Sequence, residues 1–329
     1  MNIDLQEQAC WLLLVFESGL SKRVVNDILV IWCKQLGRTL QAFFAASSQE
    51  WSATCHLKPA IIQKLEQLKT QQALLAEQLV RAHVYMLTVL DDNYSRLLKL
   101  ALNRNHIPPL LFYSGDLQIL QRQTMAIIGS RNAGEESLVF THEVAQYLAQ
   151  QDANVISGYA HGVDRAAFEG ATSTDGYTTV VLPHGIRKLS AVQMRALLPK
   201  IEAGNVLLLS QFHPDAPWLV SRAMERNNVV TGLAQVVIVA QSDTKGGTWE
   251  GANGALKRER HVYVRQAASE PATGNEALIE RGGVPLPWPT ENIADILSPL
   301  LEVSSALQEK QSEKPAPSEQ LSLFAPTKD

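Results

Sequence analysis

Met125-Ala126-Ile127-Ile128-Gly129-Ser130-Arg131-Asn132-Ala133-Gly134 is a short apolar run that breaks into small and polar residues, and the helical pattern Glu136–Gln150 follows it. An unbroken apolar run of this length is expected of a strand covered on both faces, as in a parallel sheet. Further runs of the same kind stand at Asn154-Val155-Ile156, Thr178 to Leu182, Val206 to Leu209, Val236 to Val239 and His261 to Val264. Helical patterns at Arg165–Ser173, Ala191–Ala203, Leu219–Gly232 and Trp249–Lys257 separate them. Strands alternating with helices at this spacing build βαβ units, so residues 86–302 are expected to form a doubly wound, mostly parallel α/β sheet.

On the N-terminal side, residues 1–85 have a different texture, rich in Leu, Gln and Ala. Trp11 to Phe16, the break Ser18-Gly19-Leu20-Ser21, and Val24, Val25, Ile28, Leu29 and Ile31 at helical spacing predict helix, tight glycine turn, helix. Leu40 to Ala46 and Ile61 to Tyr85 continue this all-α domain. On the C-terminal side, residues 303–329 turn to Ser, Glu, Lys, Gln and Pro. Such a stretch buries too little apolar surface to fold and is expected to be a disordered tail.

At 46% hydrophobic residues the chain has ample aliphatic content for a packed core. No apolar run approaches the roughly 18 residues of a membrane span, and Met1 to Glu7 lacks the basic-then-apolar layout of a signal peptide. A cytoplasmic protein with no membrane partner is the expectation. Cys10, Cys33 and Cys55 lie far apart, with no C-x-x-C pair and no histidine at ligand spacing, which argues against a disulfide scaffold and a zinc ribbon. Neither a metal nor a cofactor is expected. A net charge of −4 provides no global basic field, so a nucleic-acid partner would have to be held in a local pocket.

Ligands of open α/β sheets sit beyond the carboxyl ends of the strands. After the first strand stands Gly129-Ser130-Arg131-Asn132-Ala133-Gly134; after the second, Ser157-Gly158-Tyr159-Ala160-His161-Gly162-Val163-Asp164. Pro183-His184-Gly185 follows the third strand, and Gln241-Ser242-Asp243-Thr244-Lys245-Gly246-Gly247-Thr248 follows the fifth. Glycine lets a ligand approach the backbone, and amides at a helix start attract anions. Any one such loop is equally well explained as a tight turn. Four on one edge, two of them carrying Arg131 or Lys245, point to a phosphate-containing ligand. The usual dinucleotide fingerprint and the Walker A loop are both missing. Between the fourth and fifth strands, Arg222 and Arg226 share a helix face, followed by Asn227 and Asn228; a solvated helix balanced by Glu225 is the alternative. His161 and His184 have no metal-spaced partners, and Ser157 lacks a nucleophile elbow, so no catalytic residue is assigned. Asp164 is expected to cap a helix starting at Arg165, with a role in shaping the pocket as the alternative.

These blocks, in this succession, resemble the DNA-processing protein A (Smf) family, a branch of the Rossmann-like nucleotide-binding domains. Leu90 to Leu98 and Leu110 to Leu117 look like its entry strand and L-Y-x-x-G segment, and Gly129-Ser130-Arg131 its G-S-R loop. Ser157 to Asp164 is similar to its S-G-x-A-x-G-I-D block, Arg226-Asn227 to the start of its R-N-R, and Gly274 to Ile279 to its closing G-x-N-x-L-I. The resemblance implies binding of single-stranded DNA, usually as a homodimer, and handover of the strand to a RecA-type recombinase. It places Gly129, Ser130 and Arg131 in the DNA pocket with Arg226 and Asn227 nearby, and Arg187 and Lys188 where the family often keeps a basic residue. The strand-end reading adds Ser157, Gly158, Arg222, Lys245, Gly246, Gly247 and Thr248 to the phosphate-binding set. The sequence departs from the family at Asn228, at Ala166-Ala167 and at Lys245 to Glu250, where an S-G-S block is usual. Ser18-Gly19-Leu20 resembles half of a helix-hairpin-helix, with Lys22 and Arg23 beside it; a plain packing module explains it equally well.

The tail carries Gln320-Leu321-Ser322-Leu323-Phe324, a short apolar anchor of the kind that inserts into a partner's groove. It looks like the Q-L-x-L-F peptide with which bacterial polymerases and repair proteins grip the replication sliding clamp. The resulting expectation is a single-strand binder in recombination, repair, uptake or defence against foreign DNA, tethered to the clamp. Two other classes remain open at this point. One is a nucleotide phosphoribohydrolase with a P-G-G-x-G-T-x-x-E loop, of which Gly246-Gly247-Thr248-Trp249-Glu250 is a compressed echo. The other is a sensor binding a small nucleotide in the same pocket.

Overall fold

The computed structural model describes residues 4–68, 73–267 and 273–312. They form two units: the N-terminal residues through Tyr94 together with Leu102–Tyr113, and Ser95–Ala101 together with the chain from Ser114 onward.

The first unit holds α1 (Leu5–Leu12), α2 (Lys22–Ile28), α3 (Leu40–Ala45), α4 (Ser48–Cys55), α5 (Pro59–Glu66) and α6 (Ala73–Arg81), then an antiparallel pair, β1 (Tyr85–Thr88) and β2 (Leu110–Ser114). Asp4, Ser21, Thr39 and Ser47 each accept a first-turn amide, which sets the starts of α1 to α4. The glycine turn is where the sequence places it, with Gly19 at φ 63°. Trp32 and Trp51 both pack on the buried ring of Phe43, each with centroids 5.3 Å apart. Buried Asn26 donates to the carbonyls of Arg104 and Ile107, which ties α2 to the segment before β2. The expectation that helix continues to Tyr85 is corrected: α6 ends at Arg81 and Tyr85 opens β1. Tyr85-Met86-Leu87-Thr88 pairs with β2, and a short β-prone stretch with a partner takes the extended form.

The second unit begins with α7 (Arg96–Ala101) and then alternates β3 (Thr124–Gly129), α8 (Glu135–Gln150), β4 (Asn154–Ser157), α9 (Val163–Thr172), β5 (Thr178–Val181), α10 (Ala191–Glu202), β6 (Val206–Ser210), α11 (Val220–Leu233), β7 (Val236–Gln241), α12 (Gly247–Lys257), β8 (His261–Ala267), α13 (Thr273–Glu280), β9 (Val284–Trp288) and α14 (Ile293–Ser312). Its strands lie in the order β6-β5-β4-β3-β7-β8-β9, every pair parallel. The doubly wound α/β sheet is therefore as the sequence predicts. Its core sits between the β3 and β7 face, α8 and α14, where Met125, Ile127, Phe140, Leu148, Ile238 and Leu300 are fully or almost fully buried.

β9 is absent from the sequence reading because Val284-Pro285-Leu286-Pro287-Trp288 has prolines at alternate positions. Proline is tolerated at a sheet edge, where its missing N–H faces away from the ladder, and β9 is the edge. Order also extends past Val303, where the tail was expected to start. α14 continues to Ser312 because Val303 packs on the core and buried Ser304 donates to Gln235 Oε1 at 2.5 Å. The peptide Gln320–Phe324 lies outside the described residues.

In the helical unit, burial pushes the thiol of Cys33 up to about 12, with the charge of Glu7 adding to it, and those of Cys10 and Cys55 up to about 11. The thiolate is the nucleophile, so the native protein at pH 8 is expected to react slowly with an aromatic disulfide reagent, all three thiols reacting at once after unfolding. Rapid native labelling of any of them would contradict this.

Candidate functional site

β3 is the point at which the winding reverses, with β4 on one side and β7 on the other. The loops leaving β3 and β7 therefore diverge, and a crevice opens at their carboxyl ends. The register between the two strands shifts at Ile128/Gly129, at this end of the pair. The cavity has a volume of about 340 Å³ and is lined by the loops after β3, β4 and β7 and by one side of α11. The helices that begin here, α8, α9 and α12, have Gly134, Gly162 and Gly246 at their N-caps, and none carries a side-chain cap. At the start of α12, Gly247 and Thr248 line the cavity, so this first turn presents backbone amides there that no side chain of its own caps.

The loops are locked to one another through main chain. Ser130 N–H donates to the Gln241 carbonyl at 2.9 Å, and Gly134 N–H to Gln241 Oε1 at 2.9 Å. Val163 N–H donates to the Ser130 carbonyl, and His161 Nδ1 lies 2.9 Å from the Arg131 carbonyl. Gly162 holds φ +80° beneath this junction, and a Cβ there would stand 2.5 Å from the Ser130 oxygen. Only glycine fits such an approach.

Three cations of the predicted set line the cavity. Arg131 and Lys245 are exposed at its rim. Arg226, only 4% exposed, forms its floor. Arg226 Nη1 donates to the Val181 carbonyl at 2.9 Å, Nη2 stands 3.6 Å from Asp164 Oδ2, and Nε has no hydrogen-bond partner. Burial lowers the pKa of this guanidinium; Asp164 opposes the shift and the like charge of Arg131 adds to it. Its planar end occupies the space a side chain at position 158 would need, since a Cβ there would lie 1.4 Å from Arg226 Nη1. Asn227 fastens α11 to the next loop by donating to the Gly247 carbonyl at 3.0 Å. Gly129, Ser130, Gly158, Gly246, Gly247 and Thr248 complete the predicted residues found together here.

The remaining predicted residues stand elsewhere. Ser157 is buried inside the sheet, its hydroxyl donating to the Ile127 carbonyl at 3.0 Å. Arg222 turns away from Arg226, donating to the Pro217 carbonyl with its guanidinium 5.8 Å from the Phe212 ring. The two arginines therefore do not act as a pair: Arg226 faces the sheet and Arg222 the solvent side. Arg187 pairs with Asp215 at 3.3 Å and Lys188 is exposed on the same turn; neither lines the crevice. Asp164 is not the cap expected. Gly162 caps α9, which starts two residues earlier than predicted, and the Asp164 carboxylate accepts Ala160 N–H at 3.3 Å while facing Arg226. Sequence reasoning missed Trp218, whose ring lies 5.4 Å from the Arg131 guanidinium. An aromatic placed between Pro217 and a helix start was the available signal. Among the described residues, no cluster of histidine, cysteine and carboxylate groups is placed to hold a metal ion, and no helix is long and apolar enough to cross a membrane.

A parallel sheet with glycine-opened loops, helix starts without side-chain caps and cations at its switch point defines a Rossmann-like domain. The model of the family described as DNA recombination-mediator protein A matches residues 85–299. The chain belongs to that family. It is 25% identical over 191 residues to Protein Smf of Escherichia coli K12, an overlap of 57% of this chain and 51% of that protein. To the DNA processing protein DprA of Streptococcus pneumoniae it is 29% identical over 157 residues, 48% of this chain and 55% of the relative. The chain thus spans about half the length of these curated relatives. Among solved structures, DprA of Streptococcus pneumoniae superposes with a TM-score of 0.71 at 23% identity, over 87% of this chain and 95% of that one. DNA processing protein A of Helicobacter pylori, whose structure is described for its single-stranded DNA binding mode, gives 0.56 at 27% identity over 67% and 96%.

Replacing Gly158 by alanine is expected to dislodge Arg226 and lower stability by about 1–3 kcal/mol, the usual cost of overpacking, measured by urea denaturation. Gly254→Ala on α12, where a Cβ meets only side-chain atoms of Arg258 at 3.3 Å or more, is the control and is expected to unfold close to the parent midpoint.

Proposed function

We propose that this chain is a non-enzymatic single-stranded DNA-binding protein acting in recombination, repair, uptake or defence against foreign DNA. The observation that carries this reading is the convergence of Arg131, Lys245 and Arg226 with amide-lined glycine loops on one crevice. Amides and guanidinium groups hold a sugar-phosphate chain without reading its sequence. A family named for mediating recombination, and a relative described as binding single strands, support the same conclusion. The one glutamate of the compressed hydrolase-like loop, Glu250, is exposed and lies outside the crevice lining. A homodimer in the cytoplasm that hands its strand to a RecA-type recombinase is the accompanying proposal, supported by family membership.

The proposal includes tethering to the replication sliding clamp through Gln320, Leu321, Ser322, Leu323 and Phe324, and its support is the motif itself. An apolar pair, Leu323-Phe324, preceded by Ser322 and Gln320 suits insertion into a groove.

In titrations against a single-stranded oligonucleotide, Arg131→Ala and Lys245→Ala are each expected to weaken binding and to lower the slope of log affinity against log salt by about 0.7. Unchanged affinity in both variants, with nucleobase released from a nucleoside monophosphate, would replace this reading with the hydrolase. Removing residues 320–329 is expected to abolish capture by immobilised clamp while single-strand affinity stays the same; undiminished capture rules the tether out.

A further inference from the structure

Beside the crevice lies a second cavity of about 270 Å³, which shares Arg131, Gly158 and Ala160 with it. The two differ in character. The first is floored by a buried guanidinium; the second is walled by Leu182, Pro183 and the indole of Trp218 together with His161, His184 and Gln193. Arg131 therefore stands between the two cavities, its guanidinium over the Trp218 ring and 5.4 Å from the ring centroid.

Trp218 is 46% exposed. Large aromatic rings bury most of their surface in folded proteins, and nothing in the local backbone prevents that by looseness. Gly185 N–H donates to the Ala216 carbonyl at 2.9 Å and Ala216 N–H to the His213 carbonyl at 2.8 Å. The Pro217 carbonyl accepts the Arg222 guanidinium at 2.6 Å. The ring is thus presented from a fixed main chain. An occupant of this slot has to combine a flat apolar face with an anionic group one step away at Arg131, and a nucleotide unit of a single strand has that chemistry. An apolar protein side chain docking on the ring would, by itself, leave the neighbouring guanidinium uncompensated. At 270 Å³ the slot falls just below the range of about 300–1,000 Å³ usual for drug-sized ligands, which suits one base.

We propose that Trp218 is a nucleobase platform: one base of the bound strand stacks on its indole while the flanking phosphate is held at Arg131. This rests on the reading of the crevice as a single-strand site and adds a base contact to the phosphate contacts already described. Stacking of this kind tolerates every base, because each has a π face.

Fluorescence anisotropy with an oligothymidylate and with an abasic strand of equal length tests the platform in Trp218→Ala, Trp218→Phe and Arg131→Ala. Trp218→Ala is expected to weaken oligothymidylate binding about ten-fold, the loss of one base–aromatic stack. The abasic affinity and the salt slope should stay as in the parent, and Trp218→Phe should recover most of the loss. Equal weakening on both strands would overturn the platform and make Trp218 a support for Arg131. An unaltered Trp218→Ala alongside a weakened Arg131→Ala would overturn the platform and leave the phosphate site standing. Failure of Arg131→Ala to weaken either strand would remove both.

Discussion

A guanidinium under a crevice floor must be compensated where it stands, because water reaches it too poorly to do so. Arg226 has a carbonyl from β5, a carboxylate from the first turn of α9 at 3.6 Å, and the bare backbone of Gly158 against its plane. Each partner comes from a different element, so the arginine fixes how α11 crosses the ends of β4 and β5. The compensation is incomplete. One carboxylate faces Arg226 while the like charge of Arg131 is felt across the same cavity, and Arg226 Nε is unpartnered. In the proposed reading, an anion arriving at the rim completes a neutralisation that the fold leaves unfinished, which would join the structural role of this charge to a binding one.

The strands of the sheet were legible because burial on both faces leaves no polar position to blur them: Met125 to Ile128 and Val236 to Val239 read as strand from composition alone. The loops that meet at the crevice were legible for a related reason, since glycine at 162 and 246 answers a demand of the backbone itself, a φ of +80° and +93°. What escaped depended on three-dimensional neighbours. Arg222 and Arg226 have equal claim to solvent when counted along a helix, and only the position of the sheet beneath α11 sends one inside. Asp164 looked like a cap because its partner, Arg226, is far away in sequence. Ser157 sits in a loop motif but faces the sheet interior, a distinction of strand parity that moves with a one-residue change in register.

The departures from the family pattern are easier to place once the backbone is known. Where an S-G-S block is usual, this chain has Lys245-Gly246-Gly247-Thr248. Gly246 at φ +93° caps α12 without a side chain, Gly247 accepts Asn227 through its carbonyl, and Lys245 brings a cation to the rim. A helix start open to an anion is achieved here with different letters.

The prolines of β9 bear on how this protein behaves at high concentration. A sheet edge with a full row of N–H donors is a template on which another chain can lay a strand. Pro285 and Pro287 leave alternate positions of that border without a donor, and both are exposed. The same residues that hid the strand from sequence reading therefore cap the sheet against lengthening, and this flank stays closed to the end-to-end stacking from which insoluble fibres grow.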